Sequence, residues 1–336
     1  MSIKETLAFD DVLLVPGYSD IATRADIDLT LDMGSGSVMP LPLFAAPMDT
    51  IMSNEMARVV HQSGARGVMH RYCSVEEQVQ LLDGVGSDFD CLAAVGITGD
   101  FMDRAAALNE AGVSGICVDV AHGHHASVLR AVTQLKLVFP KLHVMAGNIA
   151  TLDGFNSLAD AGADSVRVGV GGGSICSTRI QTGHGVPTLQ SVMDCAKSGQ
   201  DCLIVADGGI KNSGDMVKAL AAGADAVMVG RMLAGTTEAP GEVISNPGHA
   251  PVKVYRGMAS PEAQIAWRGR YSSNEGVSRT VTLKGSAREV LFEIDKGIRS
   301  GLSYSGARTV REFWAKSRFI KQTSAGAKES STHIDS

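Results

Sequence analysis

Cys176 stands in a glycine-rich run, Gly169-Val170-Gly171-Gly172-Gly173-Ser174-Ile175-Cys176-Ser177-Thr178-Arg179, outside any apolar segment. A thiol among backbone N–H dipoles, with Arg179 close by, is set up for a lowered pKa and a nucleophilic role. An ordinary loop cysteine is the competing reading, and the position on this loop is what favours the nucleophile. Cys91, Cys117 and Cys202 lie inside apolar runs and read as inert core residues. The same glycine run can aim several N–H groups at an anion, with Ser174 adding a hydroxyl. Two more glycine turns follow, Asp207-Gly208-Gly209 and Gly230-Arg231. Together they offer backbone donors for a phosphate and, in Asp207, a carboxylate for ribose hydroxyls; short turns that bind nothing are the alternative. His122, His124 and His125 in VDVAHGHHAS invite a metal reading, yet no acidic or cysteine partner has zinc spacing. A loop or helix-start cluster near a ligand fits better, with Asp119 and His122 as candidate cofactor contacts. Met48-Asp49 and His70-Arg71 fall at comparable positions, where either pair could instead cap a helix.

The elements that must position these residues are legible as short apolar runs lacking period-2 alternation, the pattern of strands buried on both faces. Eight occur: PLFAA (42–46), RGVMH (66–70), CLAAVGI (91–97), GICVDVA (115–121), HVMAGNI (143–149), SVRVGV (165–170), CLIVADG (202–208) and AVMVGR (226–231). Amphipathic stretches such as SVEEQVQLL, FMDRAAALNEAG and SGDMVKALAAG lie between them. NEAGVSGICVDV, ADAGADSVRVGV and LAAGADAVMVGR echo one another as helix end, Ala-Gly, buried strand, the Gly suiting a left-handed helix cap. Eight strands alternating with helices predict an α/β fold, a (β/α)8 TIM barrel, whose chemistry belongs at the C-terminal strand ends. A doubly wound open sheet is the runner-up, without its glycine fingerprint after the first strand; a generic α/β domain is the third. A single barrel domain over 1–336 is expected, with a mobile flap and finger at 250–285, possible short strands in SRTVTLKG, a helix in AREVLFEIDKGIRSGL and a polar tail at 322–336.

Composition narrows the partners. The chain has 336 residues, 44% hydrophobic and 20% charged, enough for a large core. A net charge of −6 argues against nucleic acid or an anionic membrane as the main partner. No apolar run is long enough to span a bilayer, the first residues lack a secretory signal, and the six cysteines show no paired C-x-x-C spacing. A soluble, reduced, cytoplasmic protein is expected. Glycine, at 38 residues, is the outlier and fits many tight strand-to-helix turns.

FDDVLLVPGYSD, AAPMDT, VDVAHGH, MAGN, GVGGGSICSTR, VADGGI, SGDMVKALAAGAD, AGTTEAPGE, YRGMAS and RSGLSY together resemble the IMP dehydrogenase/GMP reductase family, from about residue 7 to 325. The resemblance implies a barrel that binds a purine nucleotide (GMP or IMP) and a nicotinamide cofactor (NADPH, or alternatively NAD), as a homotetramer. Cys176 would attack purine C2 and form a covalent thioimidate, with Thr178 assisting proton transfer. Ser174, Asp207, Gly208, Gly209, Gly230 and Tyr255 would hold the ribose phosphate, with Met48 beside the nucleotide. Gly257, Met258 and Glu275 would bind the purine edge. Asp119, Ala121, His122 and Gly169 would line the cofactor side. The carbonyls of Gly171, Gly173 and Cys176 match a monovalent-cation loop, typically potassium. Arg231 departs from the small residue common at its position and would add charge to the phosphate site.

The branch of the family is argued on length. Dehydrogenases usually carry an inserted pair of CBS modules between early strands; here the second strand runs directly into SVEEQ. The dehydrogenase also hydrolyses its intermediate with an Arg-Tyr pair on a long flap. Arg270-Tyr271 is present, but only sixteen residues, 259–274, separate Met258 from Glu275. RMLAG and MHRYCSVEEQ look like the reductase, whereas AHGHH, TEAPGE and ESSTHID look like the dehydrogenase. GMP reductase is the favoured reading and a CBS-less IMP dehydrogenase the alternative. A flavin-dependent barrel oxidoreductase would share the phosphate site. A non-catalytic nucleotide-binding barrel would have no use for Cys176 and Thr178.

Overall fold

The computed structural model describes residues 3–34 and 36–330. Residues 331–336, the end of the expected polar tail, lie outside the described residues. In chain order the strands are β1 (Val12–Leu14), β2 (Leu31–Asp32), β3 (Val38–Met39), β4 (Leu43–Ala45), β5 (Arg66–Met69), β6 (Cys91–Val95), β7 (Gly115–Asp119), β8 (His143–Ile149), β9 (Ser165–Val168), β10 (Leu203–Asp207), β11 (Ala226–Val229), β12 (Val252–Arg256), β13 (Ser278–Thr282) and β14 (Phe319–Lys321). The helices are α1 (Asn54–Gln62), α2 (Val75–Leu81), α3 (Phe101–Glu110), α4 (Ala126–Val138), α5 (Leu152–Asp160), α6 (Thr178–Thr182), α7 (Thr188–Cys195), α8 (Ser213–Ala221), α9 (Pro261–Arg268), α10 (Ala287–Ser303), α11 (Val310–Lys316) and α12 (Ser324–Glu329).

β4 to β11 close into a parallel barrel, β11 pairing with β4 through Val227↔Leu43, Met228↔Phe44 and Val229↔Ala45. Each of the eight lies within one of the eight apolar runs, so the protein is a (β/α)8 barrel. Side chains alternate across the strand wall. Phe44, Val68, Leu92, Cys117, Met145, Val205 and Met228 fill the interior, while Leu43, Met69, Ala93, Val144 and Val227 pack outward with the helices. The β2–β3 hairpin adds Met33 and Met39 to the interior cluster. The Met33 carbonyl faces the His143 ring at the start of β8, at 3.2 Å, so this plug seals the N-terminal end. The cavity described below opens at the C-terminal end.

Helix starts are fixed by side-chain caps. Ser53, Thr151 and Asn212 each accept an N–H from the first turn of α1, α5 and α8, and Ser74 forms a capping box with Glu77 at α2. The echoed Ala-Gly steps are the helix ends expected of them, with Gly112, Gly162 and Gly223 at φ of 90°, 101° and 108°. Residues 70–74 join β5 to α2 directly.

Above the barrel, 250–285 is more regular than a loose flap. β12 pairs antiparallel with β13 along its length, and α9 sits between them. The SRTVTLKG strand is therefore β13. Its partner β12 escaped the sequence reading because VKVYR alternates and merges with polar surroundings. The described part of the polar tail forms α12, after β14 has returned to pair with β1. Among the described residues no helix is long and apolar enough to cross a membrane.

Candidate active site

The three glycine turns open into one cavity of about 570 Å³ at the C-terminal mouth of the barrel. Met48 after β4, Asp119 on β7, Asn148 on β8, Arg167 on β9 and the segments after β9, β10 and β11 form its floor and walls. Tyr255, Gly257, Met258, Glu275 and Gly276 come from the hairpin and flap above.

Backbone packing at the strand ends demands glycine. A Cβ at Gly169 (φ 149°) would stand 1.9 Å from the Asp207 carbonyl oxygen. Gly208 and Gly209, at φ of 88° and 77°, bring the β10 turn against the β9 turn, a Cβ on Gly208 lying 3.0 Å from the Gly173 nitrogen. Peptide groups of two loops thus crowd one corner, the arrangement that makes an anion cradle. At that corner a Cβ on Gly230 would meet Tyr255 Oη at 3.2 Å and Met48 Sδ at 3.0 Å. Burial pushes the Tyr255 phenol up, and its hydrogen bond with Ser174 works in the opposite direction. Ser174, Gly209, Gly230 and Tyr255 therefore converge. Arg231 lines the rim as an exposed side chain, its carbonyl accepting from Lys284 Nζ at 3.1 Å.

The thiol sits beside this cradle. Cys176 N–H donates to the Gly173 carbonyl at 3.1 Å, closing a tight turn, and its Sγ lies 3.2 Å from Thr178 Oγ1. The Thr178 hydroxyl in turn donates to Glu275 Oε2 at 2.8 Å, so three side chains form one relay. Glu275 is delivered by backbone. Ser177 N–H donates to the Glu275 carbonyl at 2.9 Å, Ser177 Oγ to the Asn274 carbonyl at 2.9 Å, and Cys176 pairs with Gly276 in an antiparallel bridge. Cys176 is half-buried. Burial pushes the thiols of Cys91, Cys117, Cys195 and Cys202 up to about 12 and that of Cys73 to about 11, which leaves them protonated and unreactive.

A buried ionic chain runs under the floor. Arg167 bridges Asp119 Oδ1 at 2.6 Å and Asp207 Oδ2 at 2.9 Å, and Asn148 Nδ2 donates to the same Asp207 oxygen at 2.8 Å. Burial alone would raise the Asp119 carboxyl, but Arg167 and then Arg71 outweigh it and hold the pKa below the ordinary value. Burial likewise opposes the Arg167 charge, and the carboxylates of Asp207 and Asp119 drive its pKa well above normal. Removing one partner of a buried pair costs about 3–5 kcal/mol, so this arginine is fixed in place. Arg167 and Asn148 received no role from the sequence. An arginine inside the apolar run SVRVGV is itself a signal, since a buried charge needs partners; Asn148 offers none.

The flap is tied at its base as well. Arg256 Nη2 donates to Asp49 Oδ2 at 2.5 Å, and Asp49 N–H donates to Met258 Sδ at 3.4 Å. This fixes Gly257 and Met258 over the cavity. Other expected residues stand apart. Arg270 and Tyr271 are exposed on the outer turn of the flap, with Tyr271 58% accessible, and do not line the cavity. Ala121 and His122 are exposed beyond β7 and do not line it either, whereas Asp119 and Gly169 do. His125 caps α4, its Nδ1 accepting the Ser127 N–H at 3.2 Å, and His124 Nε2 lies 3.3 Å from Ser157 Oγ. Among the described residues no group of three or more His, Cys, Asp or Glu is arranged to hold a metal ion.

The chain is similar to known proteins along its length. A family model described as the IMP dehydrogenase / GMP reductase domain matches residues 6–333. The chain is 33% identical to the inosine-5′-monophosphate dehydrogenase of Nitrosopumilus maritimus (strain SCM1), with 99% of each covered. That alignment runs over 472 residues against 336 here, so the relative carries a long stretch with no counterpart in this chain. Identity reaches 49% over 252 residues with the same-named enzyme of Aquifex aeolicus (strain VF5), spanning 72% of this chain and 51% of that one. Among solved structures, a cysteine-to-alanine variant of GMP reductase from Trypanosoma brucei in complex with guanosine 5′-monophosphate matches with a TM-score of 0.95. It is 28% identical, with 100% of this chain and 99% of that one covered.

Proposed function

The chain belongs to the IMP dehydrogenase / GMP reductase family of oxidoreductases, and from that premise we propose that it reduces GMP with NADPH to IMP and ammonia. The observation that carries this reading is the assembled relay of Cys176, Thr178 and Glu275, with Arg270 and Tyr271 outside the cavity. The likeness to a GMP reductase along the whole of both chains supports it.

The nucleotide phosphate rests in the corner formed by Ser174, Gly208, Gly209, Gly230 and Tyr255, with Arg231 at the rim. Asp207, anchored by Arg167 and Asn148 through one oxygen, turns to the ribose hydroxyls. Gly257, Met258 and Glu275 face the purine edge, and Met48 packs beside it. Cys176 Sγ bonds to C2 while the bond from C2 to the amino nitrogen breaks. The thiol proton passes to that nitrogen through Thr178 and Glu275, so ammonia leaves and a thioimidate remains. The residues of the cofactor half suit a nicotinamide: both Asn148 amide N–H groups are held by the Gly169 carbonyl and Asp207, so an ionised Asp119 and the Asn148 side-chain carbonyl would supply acceptors for the carboxamide N–H groups, and Gly169 leaves room. The hydride that ends on C2 and frees the sulfur comes from NADPH. Ala121 and His122 would edge that half. The carbonyls of Gly171, Gly173 and Cys176, oxygen donors on one turn, would hold a monovalent cation, potassium by type. A cytoplasmic homotetramer belongs to the same proposal.

Proton relay makes a quantitative demand. Thr178→Ala or Glu275→Gln is expected to lower the rate of GMP reduction about 10²–10⁴-fold, the range for general acid–base catalysis. In Thr178→Ala, which removes no purine contact, GMP affinity should change little, as steady-state rates and calorimetry together will show. A rate loss matched by an equal loss of affinity would remove the relay role.

The second reading, oxidation of IMP to XMP with NAD, is favoured by the Arg270-Tyr271 pair and by the dehydrogenase names of the curated relatives. It needs a base that enters the site after the cofactor leaves. A flap of sixteen residues, tied at both ends, is too short to do so. Arg270→Ala should therefore reduce GMP turnover less than tenfold, below the roughly 10²-fold minimum for loss of a general base. Ammonia release with GMP and NADPH is the assay.

A further inference from the structure

Arg71, Tyr72 and Trp267 belong to none of the binding sites above, yet they connect two of their parts. Trp267 projects from the flap helix α9 and stacks on Tyr72, ring centroids 4.3 Å apart and planes 16° from parallel. Arg71 lies over both rings, its Cζ 5.3 Å from the Tyr72 centroid and 5.9 Å from that of Trp267. Arg268 covers Trp267 at 5.3 Å. From this stack Arg71 reaches the floor of the cavity, Nη2 donating to the Asp119 carbonyl at 3.1 Å. Its Nε is buried without a hydrogen-bond partner and stands 3.6 Å from Asp119 Oδ2, an ion pair without a hydrogen bond. The guanidinium is therefore held jointly by the Asp119 carbonyl, the Asp119 charge and the two aromatic rings, one of which belongs to the flap. Asp119 continues through Arg167 to Asp207.

We propose that Arg71, Tyr72 and Trp267 are positioning residues that let the docked flap set the Asp119 carboxylate and, with it, the affinity for the nicotinamide half of the cofactor. The inference rests on the reading of Asp119 as the cofactor-facing carboxylate. With α9 docked, the stack holds the guanidinium against Asp119, and the charge lowers the carboxyl pKa. With α9 lifted, Arg71 loses one ring and gains rotational freedom, and Asp119 keeps Arg167 alone. Cofactor binding and flap docking then favour each other reciprocally, as any coupling between two sites must.

The test uses the full chain with the purine and nicotinamide couple that the wild type turns over. Trp267→Ala should raise the KM for the cofactor about tenfold, the range expected when an aromatic pair and its cation contact are lost together. The KM for the nucleotide and kcat should stay within about twofold, and Trp267→Phe should restore the cofactor KM. In a Trp314→Phe background, which leaves Trp267 as the single tryptophan of the two, cofactor binding should change the emission. An unchanged cofactor KM in Trp267→Ala, or equal increases for nucleotide and cofactor, would overturn the proposal. Absence of purine nucleotide binding in the wild type would instead overturn the functional reading beneath it.

Discussion

Replacing Cys176 by serine is expected to abolish turnover while leaving GMP affinity within about tenfold of the wild type. The hydroxyl is close in size to the thiol and keeps the N–H bond from residue 176 to the Gly173 carbonyl, so the loop closes as before. What disappears is a sulfur that attacks C2 and later departs as a stable thiolate. An alkoxide at the same place is both harder to form and a poorer leaving group. Affinity should survive because, on the proposed assignment, the phosphate corner and Asp207 carry most of it. Calorimetry with GMP and steady-state rates decide the matter together. Retained turnover would remove the covalent mechanism, and lost affinity would move Cys176 from chemistry to binding.

Removing the phosphate should be nearly as costly. On the proposed assignment, guanosine in place of GMP would forfeit the contacts of Ser174, Tyr255 and the amides of Gly209 and Gly230. Charge-assisted hydrogen bonds contribute about 1.5–3 kcal/mol each, so losing even three of these four predicts a fall in kcat/KM of about a thousandfold or more. The loss should appear in kcat as well as KM, because a nucleotide anchored at its phosphate presents C2 to Cys176 more accurately. Comparable kcat/KM for guanosine and GMP would sink the assignment of the phosphate corner.

The barrel was readable because its strands are buried on both faces, which writes each one as an uninterrupted apolar run. The runs overshoot the strands at their C-terminal ends, at Val170, Gly208 and Arg231, since the chain stays apolar or small where it turns into the site. The glycine turns, Cys176, Asp207 and Gly230 were legible for the same reason: small residues and one thiol stood where strands had to end. The partnership of Thr178 with Glu275 was not visible in spacing, because 97 residues separate them and pairing of Cys176 and Ser177 with residues 274–276 brings them together. The resemblance supplied that pair. Arg167 escaped notice because it hides inside a strand pattern; its two carboxylate partners lie on other strands, 48 and 40 residues away. The stack of Tyr72 on Trp267 has no sequence signature, since neither periodicity nor turn chemistry links α9 to the loop after β5.

The most direct measurement compares two reactions of the wild type side by side by the near-ultraviolet absorbance of reduced nicotinamide. With GMP and NADPH the absorbance should fall, one ammonia appearing for each IMP, while IMP and NAD should give no sustained rise. A sustained rise with IMP and NAD, accompanied by free XMP and stopped by Arg270→Ala, would contradict the account and make the protein a dehydrogenase with a shortened flap.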